Sequence, residues 1–331
     1  MKILGISGKF SGVGYHRIML PLVHMEKDYL LITDMLNDEV LEKGFDIVVI
    51  NRVYNDLSAD QLSEYKKKYN FKLVIDNDDF WHLDLHHPLY ERYIINELPH
   101  RIKSYIQIAD VCTTTHDRLA DEIYRLNKNV HILPNALPYG QEQFMDNKVE
   151  SDQVRLFWSG SATHENDIKI ISQPFKRLIG SNVKMIVAGY NEIEKDIWNK
   201  IVHYFSAGNK LDTKVYRHDE VFRYMAAYAD SDISIIPLLD TKFNSMKSNL
   251  KVLETASKKN PAIVSCVHPY LDLPVHYVRN QREWYKHIQL LTNDRQAREE
   301  SGLKLFEYCN THYNFALINN ERKRIYKQLC L

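Results

Sequence analysis

One feature narrows the fold more than any other: a regular alternation of short apolar runs with helical stretches. In residues 1–150 the runs are "KILGIS" (2–7), "YLLIT" (29–33), "IVVINRV" (47–53), "KLVID" (72–76), "VCTTT" (111–115) and "VHILP" (130–134). In the second half they are "VRLFWSG" (154–160), "VKMIVAG" (183–189), "KVYRH" (214–218), "ISIIPL" (233–238), "PAIVS" (261–265) and "HYVR" (276–279). Amphipathic segments of helical period separate them. Strand, helix, strand repetition of this kind predicts parallel sheets with helices on both faces. The polar stretch "NALPYGQEQFMDNKVESD" (135–152) reads as the linker between two such sheets, and the chain from about 281 onward reads as helix with no further strand. The expected class is therefore α/β, with two doubly wound domains at 1–140 and 150–313.

Size and composition agree with that division. A chain of 331 residues can bury a core in each of two domains. Its 44% apolar and 26% charged content is that of a globular protein, and no run approaches the ~18 apolar residues of a membrane span. The N-terminal "MKILGISGKFSGVG" turns glycine-rich too soon for a signal peptide and reads as a first strand. Four scattered cysteines, Cys112, Cys266, Cys309 and Cys330, suggest neither a zinc site nor a disulfide framework. A reducing, cytoplasmic location and no stable membrane insertion are expected. Net charge is zero but uneven: residues 1–150 carry 17 Lys and Arg against 23 Asp and Glu, hence −6, and residues 151–331 carry 26 against 20, hence +6. A polyanionic ligand in the second half is one reading of that asymmetry. Composition announces no nucleic-acid binding, because no basic tail or aromatic-interleaved basic run exists.

Doubly wound sheets bind ligands beyond the C-terminal ends of their strands. After the first strand comes "SGKFSGVGYHR", where Gly8, Gly12 and Gly14 allow close backbone approach. A dinucleotide fingerprint fails there, since its third glycine position is Arg17, although Asp34 lies where a ribose-binding acid would. A plain turn remains open, as does a substrate loop with His16 and Arg17 pointing at the ligand. After the fourth strand comes "DNDDFWHLDLHHP". Asp76, Asp78 and Asp79 there can bind substrate hydroxyls or accept a proton. His82, Asp84, His86 and His87 are metal-ligand types, but their spacing matches no known cage, and a capped solvated turn is the third possibility. After the seventh strand, "WSGSATHEND" offers a small turn at Gly160 and Ser161 and a capped helix whose first turn holds Glu165 and Asp167.

The stretch "NSMKSNLKVLETASKKNPAIVS" (244–265) carries the most specific chemistry. Lys247, Lys251 and Glu254 are spaced i, i+4, i+7 and would share one helical face. Met246, Leu250 and Leu253 lie beside that face, and Val252 and Ala256 lie opposite. A helix so enclosed in apolar residues is mostly buried, so its charges need a reason. Two lysines near a helix N-terminus suit a diphosphate, and a carboxylate one turn on suits the two hydroxyls of a ribose. The bland alternative is a solvent-facing Lys251–Glu254 pair.

These segments resemble GT-B glycosyltransferases, and glycosyltransferase family 4 in particular. "IIPLLDTKFNSMKSNLKVLETASKKNPAIVS" is similar to that family's strand, loop, glutamate-bearing helix and following strand. "VHILPNAL" (130–137) resembles its interdomain segment, and "WSGSATHEND" and "IVAG" (186–189) resemble the opening of its second domain. "GVGYHR" and "DNDDFWHLDLHHPLY" resemble a subset common in phage and bacterial genomes. The resemblance spans nearly the whole chain. It implies two Rossmann-like domains facing across a cleft, with a closing helix (314–331) crossing back onto the first. It implies sugar transfer from a nucleotide-sugar, of UDP type, to an acceptor hydroxyl, with retention and without a metal or other cofactor.

On this reading the donor site comprises Gly14, Gly160, Ser161, His164, Lys247, Ser248, Leu250, Lys251 and Glu254. The catalytic candidates are His16, Arg17, Asp78 and Asp79, and the acceptor-binding candidates are Asp76, Trp81 and His82. The family's first glutamate is replaced by Met246, and its usual Arg/Lys pair is missing from "SGSATHEND", with Lys247 and Lys251 as substitutes. The expected acceptor is a hydroxymethylated base in phage DNA, which would put the enzyme in a host cytoplasm, although the −6 charge of the first half opposes a polyanion. The alternatives are a cell-surface glycan or lipid-linked sugar, and a non-catalytic nucleotide-sugar-binding module.

Overall fold

The computed structural model describes residues 1–7, 11–55 and 57–331. The expectation for Gly8 lies outside the described residues. The chain forms two compact units. The first contains Met1–Asn135, Met246–Ser248 and Phe315–Leu331, and the second contains Ala136–Ser245 and Asn249–Asn314.

In the first unit six parallel strands form one sheet: β1 (Lys2–Ile6), β2 (Tyr29–Thr33), β3 (Ile47–Asn51), β4 (Lys72–Asn77), β5 (Val111–Thr114) and β6 (Val130–Ile132). Their order is β2-β1-β3-β4-β5-β6. The sheet therefore reverses direction of winding between β1 and β3, where Ile3 pairs with Ile47 and Ile6 with Ile50. Its strands are apolar on both faces because helices cover both faces. Ile3, Ile47, Val49, Val74 and Val111 form the core with Ile18 and Leu22 from the helical stretch after β1, with Met25 just beyond it, and with Ile325 and Tyr326 from the closing helix, Phe315–Leu329. Asn319 of that helix donates to the Pro21 carbonyl at 2.9 Å, and Arg322 donates to Asn319 at 2.6 Å.

In the second unit the strands are β7 (Val154–Ser159), β8 (Val183–Tyr190), β9 (Thr213–Arg217), β10 (Ile233–Ile236), β11 (Ala262–Ser265) and β12 (His276–Val278). They are again all parallel, in the order β12-β11-β10-β7-β8-β9. Here the winding reverses between β7 and β10. The core is dense in aromatics, with Trp158, Phe175, Trp198, Phe205 and Trp284 packed on Leu156, Met185, Val187, Ile233 and Ile263. All twelve strands fall within a few residues of the runs read from the sequence. Among the described residues, no helix is long and apolar enough to cross a membrane.

Candidate functional site

Two groups of polar side chains gather at the strand C-termini, one in each unit. In the first unit they lie beyond the ends of β1, β3, β4 and β5, the edge at which open α/β sheets bind ligands. The helix after β1 widens over Tyr15–Met19, where the Leu20 N–H reaches back five residues to the Tyr15 carbonyl. Single widened turns of this kind concentrate at functional sites. Here the turn carries His16 and Arg17 inward.

Arg17 is held on every side. Its Nε and Nη2 donate to the two Asp76 oxygens at 2.9 and 2.7 Å, and its Nη1 donates to the Leu133 carbonyl and to Asn135 Oδ1, both at 2.9 Å. Thr113 Oγ1 donates to Asp76 at 2.6 Å and Asn51 Nδ2 at 3.2 Å. The Arg17 side chain is 1% exposed. This geometry gives Arg17 and Asp76 a different part from the one expected of them. A guanidinium enclosed by protein acceptors cannot meet a departing diphosphate, and a carboxylate so enclosed offers no face to an acceptor. The pair is a clamp joining β1's helix, β4, β5 and the segment after β6.

The other first-unit candidates sort by exposure. Arg52 donates from Nε to Asp78 at 2.9 Å and from Nη2 to Asp79 at 2.8 Å. Burial pushes the Asp78 carboxyl up, but the Arg52 charge and the bonds from Arg52 and Asn51 outweigh it and leave the group below its usual range. Asp78 is therefore ionised at neutral pH and weakly basic. Arg52 holds a φ of 57°, a backbone state rare for arginine. That conformation aims one side chain at two acids, and the sequence gives no sign of it. Trp81 is 3% exposed and packs on Phe80 at 5.1 Å, so it belongs to the core rather than to an acceptor surface. His82 is exposed, with its ring 5.4 Å from Phe80. Gly14 is buried, and its N–H donates to Ser11 at 3.1 Å, which commits it to capping.

His16 is buried edge-on to Tyr15, and burial, helped by the Arg17 charge, lowers its imidazole to about 3. The unfolded chain takes up a proton at this ring below about pH 6.5. The folded chain refuses it until about 3. Stability from this group is therefore complete above pH 6.5 and is lost progressively as pH falls from there toward 3. We expect His16→Gln to flatten that part of the acid-stability curve in denaturant titrations run between pH 7 and 4. An unchanged slope would place the ring in a wetter setting than this one.

In the second unit the reversal of winding brings the turn after β7 beside the loop after β10. Gly160 follows β7 directly, and a Cβ there would lie 2.7 Å from the Trp158 ring and 3.1 Å from Lys251 Nζ. Gly189, at φ +110°, lies so close that a Cβ would meet the Gly160 carbonyl at 2.1 Å. Only glycine fits at either position. Lys251 comes from the helix Leu250–Ser257, whose start at Asn249 has no side-chain cap. Its Nζ stands 3.4 Å from His164 Nε2 and 5.4 Å from the centre of the Trp158 ring. One turn on, Glu254 is 6% exposed and accepts from Tyr224 at 2.6 Å and Tyr228 at 2.5 Å. Burial raises the Glu254 carboxyl, against those two bonds and the Lys251 charge. Ser161 is exposed and bonds Thr163 at 2.7 Å.

Lys247 does not share this face. The helix begins at Leu250, and Asn244–Met246 form a separate tight turn. Asn244 holds that turn by donating to Asp167 and to the Leu239 carbonyl, both at 3.0 Å. Met246–Ser248 belong to the first unit, where His116 Nε2 bonds the Met246 carbonyl at 2.9 Å and Asn135 donates to Ser248 Oγ at 2.8 Å. An i, i+4 spacing places side chains together only where the helix is continuous. Lys251, Glu254, His164 and Gly160 are brought together, Leu250 opens the same helix, and Lys247 and Ser248 stand in the other unit.

No protein-family model and no curated protein matches this chain by sequence. Solved structures match it by shape. HepE of Anabaena, in complex with UDP-glucose, superposes with a TM-score of 0.70 at 11% identity over 99% of each chain. A glycosyltransferase from Rickettsia africae gives 0.61 at 13% identity, over 99% of this chain and 98% of that one. A putative UDP-N-acetylglucosamine 2-epimerase from Listeria monocytogenes gives 0.59 at 12%, over 98% and 95%. With two parallel six-stranded Rossmann-like sheets, this chain has the GT-B fold.

Proposed function

We propose that this GT-B chain is a glycosyltransferase that moves a sugar from a UDP-linked donor to an acceptor hydroxyl. One observation carries the reading: a lysine and a glutamate one turn apart, on an uncapped helix start, set against the Gly160 turn after β7, where the second unit's winding reverses. Support comes from fold relatives solved with UDP and with UDP-glucose. The likeness to a putative epimerase means that the fold alone does not select transfer.

In this proposal the diphosphate lies against Lys251 and the positive end of the Leu250–Ser257 helix. A cation and a helix dipole fixed before reaction stabilise the charge that develops as the sugar leaves. A metal is not required for that charge. The ribose hydroxyls donate to Glu254, whose oxygens have lone-pair capacity beyond the two tyrosine bonds. The first unit takes the acceptor, with the Asp78–Asp79 loop nearest it, and transfer proceeds with retention. "GVGYHR" and "DNDDFWHLDLHHPLY" favour a hydroxymethylated DNA base, while the −6 charge of residues 1–150 opposes a polyanion and leaves a cell-surface glycan or lipid-linked sugar as the alternative.

The test is turnover of UDP-sugars with each acceptor class, in the presence and absence of a chelator. UDP release with product on either acceptor supports the enzyme. Donor binding with no release would instead describe the non-catalytic module that Met246, in place of the family's first glutamate, allows. Glu254→Ala is expected to weaken UDP-sugar binding about 10-fold or more, the worth of hydrogen bonds to a charged group. Unchanged affinity in calorimetry, with the fold intact, would remove Glu254 from the ribose.

A further inference from the structure

Asp167 reads in the sequence as an ordinary first-turn acid, yet in the fold it is buried and accepts hydrogen bonds on both oxygens. Its Oδ2 takes a bond from His164 Nδ1 at 2.8 Å. Its Oδ1 takes the Leu239 N–H at 2.9 Å and the Asn244 amide at 3.0 Å. One carboxylate thus ties the turn after β7 to the loop after β10. It also sets the histidine: with Nδ1–H given to Asp167, Nε2 presents its lone pair, and Lys251 Nζ stands 3.4 Å away. The Trp158 ring flanks the same ammonium, 5.4 Å from its centre, and lies edge-on to the His164 ring at 6.4 Å.

A lysine is a point charge on a long flexible stem. Holding it still before the ligand arrives removes an ordering cost that binding would otherwise carry. We propose that Asp167 and His164 are positioning residues that act on the donor diphosphate only through Lys251. This rests on the donor-site reading above and changes the part played by His164, from a ligand contact to a support. Asp167 orients the ring, the ring and Trp158 bracket the ammonium, and the ammonium meets the phosphates.

A double-mutant cycle tests this, using calorimetry with UDP and with uridine on the full chain. His164→Ala and Asp167→Asn should each weaken UDP binding roughly five- to tenfold, the worth of one side chain held in place, and leave uridine unchanged. His164→Gln, which returns an acceptor near the Nε2 position, should recover most of the loss. In a Lys251→Ala background, either change should cost nothing more. Additive losses in the double variants would mean that His164 touches the ligand itself, and would overturn the inference. So would full UDP affinity in His164→Ala where Lys251→Ala alone is weakened. If Lys251→Ala binds UDP like the parent chain, or if the parent chain binds no UDP, the donor-site reading itself fails. Should His164→Ala not fold, Asp167→Asn, alone and combined with Lys251→Ala, completes the same cycle.

Discussion

Asp76→Ala is expected to lower unfolding free energy by about 3–5 kcal/mol, the cost of leaving a buried charge unpaired. The Arg17 side chain is 1% exposed and has no water to turn to once its bidentate partner is gone. Asp76→Asn should cost less, because the amide oxygen still accepts one of the Arg17 bonds. Replacing both members, Arg17→Met with Asp76→Leu, should recover only part of the loss. Buried pairs exchanged for apolar groups are often neutral, but here Thr113 and Asn51 also donate to Asp76, and Asn135 and the Leu133 carbonyl accept from Arg17. Those groups would be left buried without partners. Denaturant unfolding of the full chain measures all three. A cost under about 1 kcal/mol for Asp76→Ala would show a wet, weak pair and return Arg17 to the list of ligand contacts.

Lys251→Ala should reduce sugar transfer by roughly 10²–10³-fold, the range found when one preorganised electrostatic group is removed from a transition state. The fold should survive, since Lys251 is only partly buried and its backbone carbonyl still accepts from Thr255 at 2.8 Å. The loss should fall on UDP-containing ligands and spare uridine. Lys251→Arg is not a conservative rescue. The larger planar group would need the space beside Gly160 and Trp158 that the ammonium now fills. Transfer at the parental rate in Lys251→Ala would sink the assignment of this lysine to the leaving diphosphate.

The strands were legible because apolar runs bounded by helical stretches signal themselves locally, and the glycine turns followed from where the runs ended. Partnerships across the sheet were not. Arg17 meets Asp76 across 59 residues and Arg52 meets Asp78 across 26, and in both cases the arginine's own neighbours in sequence give no sign of it. Each acid looked available for chemistry because its guanidinium lay on another element. Lys247 was lost differently. Periodicity extends a helix backward until something stops it, and here Met246 and Ser248, on either side of Lys247, are instead bonded to His116 and Asn135, more than 100 residues away. Glu254 was visible as a charge out of place on an apolar helix, but its tyrosine partners, on the preceding helix and its cap, were not.

The closing helix has a consequence for how this chain assembles. Ile325 and Tyr326 complete the core around Ile3 and Ile47, and Asn319 reaches the Pro21 carbonyl across 298 residues. The second unit draws on one nearly continuous stretch and can condense as soon as that stretch exists. The first unit cannot, because contacts of such separation close slowly and only after the intervening chain is ordered. On a ribosome the half that emerges first is thus the half that finishes last. Its unfinished core waits with apolar surface open until residues 315–329 arrive, and that interval is when the chain is most exposed to aggregation and to chaperones.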